Sequence, residues 1–135
     1  LGKGRRMTSK ADLATALVAK LRPLVGGRVY RNRFPQSPEV PVWPAIRYTF
    51  ISTTANQDIC GDGGEETADY RVQIDVVALD SSGQTAFTAL CNSVKAAMQD
   101  FRPVWVWDSD FEDYDPDTKT NRLTADYMVY LSSPT

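Results

Sequence analysis

Histidine does not occur anywhere in the 135 residues, and that absence removes much of the chemistry available to a small protein. Ser–His–Asp and Cys–His arrangements need an imidazole to carry the proton, and mixed His/Cys zinc sites need it as a ligand. The two cysteines, Cys60 and Cys91, are too far apart for a CxxC motif and too few for a disulfide-stapled scaffold, so both are expected to be reduced. Cys91 falls on the apolar stripe of a predicted helix and reads as a small core residue. Cys60 lies in a Gly-rich loop, where catalysis would require an activating partner. The GDGG run from Gly61 to Gly64 precedes a predicted strand and opens no helix; it lacks the geometry that cradles phosphate and reads as a flexible connection.

The remaining candidate chemistry is acidic. In DSDFEDYDPD, starting at Asp108, oxygen-bearing side chains recur at the alternate positions a calcium loop uses. Counted from Asp108, however, the sixth position is Asp113 where an EF-hand needs glycine, and the twelfth is Lys119 where it needs a bidentate glutamate. A carboxylate pair for glycoside hydrolysis needs a fixed separation across a cleft, which a mobile tip does not provide. No catalytic residue, metal or cofactor is therefore assigned, and the segment is expected to be a solvated hairpin tip that serves a partner. Trp105 and Trp107 share one face of a predicted strand and Val104 and Val106 the other. One pair packs inward; if it is the valines, the tryptophans suit a subunit interface. The candidate interface residues are Trp43, Trp105, Trp107, Asp110, Phe111, Glu112, Asp113, Tyr114 and Asp115.

These residues have to be positioned by a small number of elements. Ser9 followed by Asp12 resembles a capping box, after which Leu13, Ala16, Leu17, Leu21 and Leu24 recur at helical spacing until Pro23 and Gly26-Gly27 close the helix. Val29 and Tyr30 start a short strand. Phe34 to Pro44, with four prolines, reads as a surface arm. Alternation predicts strands from Ala45 to Thr53 and from Tyr70 to Ala78, separated by a polar loop from Asn56 to Glu66. Ser81 and Gln84 match a capping box, and Phe87, Leu90, Cys91, Val94, Met98 and Phe101 trace one face of a second helix that Pro103 ends. Strands from Val104 to Trp107 and from Leu123 to Leu131 flank the acidic tip, Asp108 to Asn121. The order predicts an α+β fold, an antiparallel or mixed sheet of about four or five strands with two helices packed against it.

Hydrophobic residues at 42% and charged residues at 24% give the balance of a globular chain, and the length fits one core. Residues 1–6, LGKGRR, precede Met7-Thr8-Ser9, which looks like a natural start; they read as an added remnant or disordered leader, with residues 7–135 as a single domain. The net charge is −2 overall, and without Lys3, Arg5 and Arg6 the remaining 12 basic and 17 acidic residues give −5. Such a domain is poorly suited to tight binding of a phosphate backbone. With no membrane-spanning run and nothing resembling a signal peptide, a cytoplasmic chain is expected.

Taken together, LVAKLRPLVGGRVY, WPAIRYTF after the Pro-rich arm, and YRVQIDVVALD leading into TALCNSVKAAM resemble the tail-completion or tail-terminator proteins of long-tailed bacteriophages, of the kind of minor tail protein U, over roughly Ala11 to Leu131. The resemblance implies a mixed α/β fold and a structural virion protein, not an enzyme. It implies assembly as a six-membered ring on the last tail-tube ring, where the protein stops tube polymerisation and joins tail to head. Its partners would be other copies of itself, the tail-tube protein and a head–tail connector. DNA would pass through the lumen without specific binding, and an acidic lumen would let it slide. The location implied is the head-proximal tail end of the virion, assembled in the bacterial host cytoplasm. The long acidic segment from Asp108 to Asp117 departs from the family pattern. A head-side connector or stopper is the alternative, followed by a small ligand-binding or acid-based enzyme domain, which would need a concave pocket with convergent carboxylates.

Overall fold

The computed structural model describes residues 9–36, 39–55, 68–101 and 105–131; the Asn56–Glu66 loop, Cys60, Pro103 and Val104 lie outside the described residues. Helix α1 (Lys10–Leu21) starts where Ser9 Oγ accepts from the Asp12 backbone N–H at 3.1 Å, satisfying one of the donors a helix start leaves unpaired. Its buried stripe is Leu13, Ala14, Leu17 and Leu21. A 3₁₀ turn through Pro23 follows, and Gly26 and Gly27, both at positive φ, redirect the chain into β1 (Val29–Arg31).

Strands β2 (Ala45–Thr54), β3 (Asp69–Leu79), β4 (Trp105–Asp115) and β5 (Thr120–Tyr130) complete a five-stranded sheet in the order β1-β2-β3-β5-β4. The β1–β2 pair is parallel and the other pairs are antiparallel, so the sheet is mixed and the fold is α+β. Ile46 and Tyr48 of β2, Tyr70, Val72, Ile74, Val76 and Ala78 of β3, and Leu123, Ala125, Tyr127 and Val129 of β5 form one buried face with α1 and α2 (Gln84–Met98). The α2 side of this core is Phe87, Cys91, Val94 and Met98, with Phe101 buried just beyond the helix end.

Three expectations are corrected. Ser81 does not cap α2: Asp80–Ser82 form a 3₁₀ turn in which Ser82 Oγ donates to the Leu79 carbonyl, and the cap is Gly83 at φ 96°. A residue with a Cβ is disfavoured at that angle, so glycine chemistry outweighs the side-chain cap. The acidic segment is also not an irregular tip. Trp105–Asp115 pairs with β5 along its length, leaving only Pro116–Lys119 as the turn. Finally, the arm is pinned at both ends. Phe34 is buried with Ala45 and Val77 on the sheet face opposite the helices, and the Trp43 ring packs edge-on against it at 5.1 Å. Between these anchors Val40 is 81% exposed and Val42 58%.

Candidate assembly interface

Strand β4 is the outermost strand on its side of the sheet, paired to β5 alone. Its outer backbone groups therefore have no strand partner among the described residues, the condition under which a second chain can add. A register shift between Trp107 and Ser109 puts one extra residue, Asp108, into the strand. Trp105, Trp107, Asp110 and Glu112 consequently lie opposite Val129, Tyr127, Ala125 and Leu123, on the helix side, whereas Phe111 and Asp113 lie opposite Thr124 and Arg122 on the other side.

The structure brings three of the candidate residues together with one the sequence did not single out. Lys95 of α2 pairs with Asp110 at 2.8 Å, and its ammonium sits 5.3 Å from the centre of the Trp107 ring. Trp107 Nε1 in turn donates to Asp110 at 3.1 Å. Trp105 is buried against Phe101, with ring centres 5.3 Å apart. Lys95, Met98, Gln99, Trp105, Val106, Trp107 and Tyr127 line a cleft of about 470 Å³ at this edge. Lys95 was missed because only the packing of α2 on β4 reveals its role; its place in the last turn of the helix gave no other signal.

The other candidates are distributed. Phe111, 59% exposed, and Tyr114 stand clear of the core. Asp113 accepts from the Tyr114 backbone N–H, and Asp115 from that of Asp117; the latter bond holds the Asp115 carboxyl below its ordinary range. Glu112 lies on the α2 side. Trp43 is at the far end of the sheet, half-buried on Phe34. Among the described residues no group of three or more His, Cys, Asp and Glu is arranged to hold a metal, and no helix is long and apolar enough to cross a membrane. Burial raises the Cys91 thiol to about 11, with Glu112 adding to the effect, so it is held as the unreactive thiol.

The sheet face away from the helices carries a buried ionic group that was also missed. Asp75, 2% exposed, accepts from Arg47 Nε at 2.8 Å and from the Thr124 hydroxyl at 2.6 Å. The Arg47 guanidinium also lies 5.2 Å from the centre of the Phe34 ring, under the base of the arm. Its three side chains come from β2, β3 and β5 and meet only once the strand register is fixed.

A family model described as tail completion protein gp17 matches residues 11–132. Among solved structures, a chain of the virion of a native gene transfer agent particle has the same fold: TM-score 0.56, 19% sequence identity, with 82% of each chain covered. No curated protein matches the chain in sequence.

Proposed function

The chain belongs to the tail completion protein gp17 family, structural proteins of the phage tail, and from that premise we propose that it works as a ring. Copies join around the head-proximal end of the tail tube, end its polymerisation and present the surface to which the head connector binds. The observation that carries this reading is the pair of unlike sheet edges, β1 and β4, at opposite ends of one sheet. A contact between two different surfaces is heterologous, and heterologous contacts close into rings when the rotation permits. The exposed aromatics Trp107, Phe111 and Tyr114 along β4 are the residue types that anchor interfaces, and Asp110 and Lys95 hold the Trp107 ring in place. The excess of acidic residues suits a channel through which DNA slides.

Electron microscopy of tail tubes prepared without this protein tests the proposal. Added protein is expected to form one ring at a single end of each tube and to block further addition of tube subunits. The double variant Phe111→Ser, Tyr114→Ser is expected to occupy fewer ends. Binding to portal complexes in preference to tubes would replace this reading with that of a head-side connector, and decoration along the tube sides would refute both.

A further inference from the structure

Among the described residues the four most exposed large apolar side chains fall into two groups at opposite ends of the sheet: Val40 and Val42 on the arm between β1 and β2, and Phe111 and Trp107 on β4. Four inter-strand spacings of about 4.8 Å separate β1 from β4, and the arm is anchored on the face opposite to the one where the Trp105–Trp107 cleft opens. A chain therefore does not cover its own cleft with its own arm.

We propose that the arm of one copy, Glu39 to Val42, docks along β4 and into the Lys95–Trp105–Trp107 cleft of the next copy. This inference rests on the ring reading and assigns its subunit contact. Three features favour a second copy as the occupant. The β1 end carries the exposed Arg31 and Arg33, whereas β4 carries Asp108, Asp110, Glu112, Asp113 and Asp115, so the two ends attract electrostatically. The arm ends in bulky apolar groups spaced two residues apart, which in an extended chain point the same way, and the cleft is lined chiefly by Met98, Trp105, Val106, Trp107 and Tyr127. Pro41 lacks only the one backbone donor that an edge-bound segment turns away from the strand.

Site-directed cross-linking on tail tubes tests the assignment. In a Cys60→Ser background of the full chain, Val42→Cys protein is mixed with Gln99→Cys protein, assembled on tubes and treated with a bismaleimide. The expected product is a mixed dimer joined through positions 42 and 99, and a separate Val40→Asp, Val42→Asp variant is expected to lower end occupancy at least tenfold with its thermal transition unchanged. Rings that form without the cross-link, together with full occupancy by the Asp variant, would overturn the arm assignment and leave the ring standing. Tube ends carrying single copies and no ring would overturn both.

Discussion

Replacing Arg47 by alanine tests the packing that holds the arm in place. Asp75 is 2% exposed and receives Arg47 on one oxygen and Thr124 on the other; removing Arg47 leaves a buried carboxylate with a single neutral donor. Breaking a fully buried pair from one side costs about 3–5 kcal/mol. The Arg47 side chain is a quarter exposed, and water entering the vacated space recovers part of that, so about 2–3 kcal/mol is expected. For a chain of 135 residues the unfolding entropy makes 1 kcal/mol worth about 3.5 °C, and the melting temperature followed by circular dichroism should fall by about 7–11 °C. Because the guanidinium also underlies Phe34, limited proteolysis within Glu39–Val42 should speed up in the same variant. A double-mutant cycle with Asp75→Ala isolates the pair, with a coupling of at least about 1 kcal/mol expected. Single effects that add to within about 0.5 kcal/mol, or a melting shift under about 3 °C, would show that the two side chains do not depend on each other.

Two further outcomes are expected. Cys91 and Tyr127, raised by burial to about 11 and about 12, favour the folded state in their neutral forms. Their contribution is complete below the ordinary thiol value near 9 and is lost as pH rises toward 11–12, so thermal stability should decline between pH 9 and 11, less steeply in Cys91→Ala; a flat profile would refute it. Protein comprising residues 7–135 should bind double-stranded DNA weakly at physiological salt in a fluorescence anisotropy titration, because acidic residues outnumber basic ones. Tight, salt-sensitive binding would contradict the sliding-channel reading.

Most of the core was legible because it obeys simple periods. Tyr70, Val72, Ile74, Val76 and Ala78 alternate in sequence and are buried together, and Phe87, Cys91, Val94 and Met98 follow helical spacing onto the same core. The family resemblance, read from the helix, the arm and the β3–α2 unit, agrees with the match over residues 11–132. Strand β4 was legible only at its start. Past Trp105 it is mainly exposed on both faces, so burial imposes no alternation, and acidic residues, uncommon in strands, argued for a loop. Their presence on an open edge follows from the need to keep such an edge from pairing indiscriminately. The Lys95–Asp110–Trp107 and Arg47–Asp75–Thr124 groups were illegible for a different reason: the first depends on the strand bulge and on the packing of α2 against β4, the second on residues far apart in the chain, and no local pattern encodes either register.

The extra residue at Asp108 acts as a phase shift. On an uninterrupted strand, residues three apart such as Trp107 and Asp110 would point to opposite faces; here they share a face and a hydrogen bond. Odd-numbered positions face the helices before the bulge and even-numbered ones after it, so a search for alternation along Trp105–Asp115 adds two signals of opposite sign and finds neither. The same arithmetic separates two kinds of change at this position. Deleting Asp108 would straighten the strand while keeping every side chain on its present face. Flattening the bulge with all residues retained would slip one half of the strand by a position, sending either the two tryptophans or the Asp110–Glu112 pair to the wrong side of the sheet.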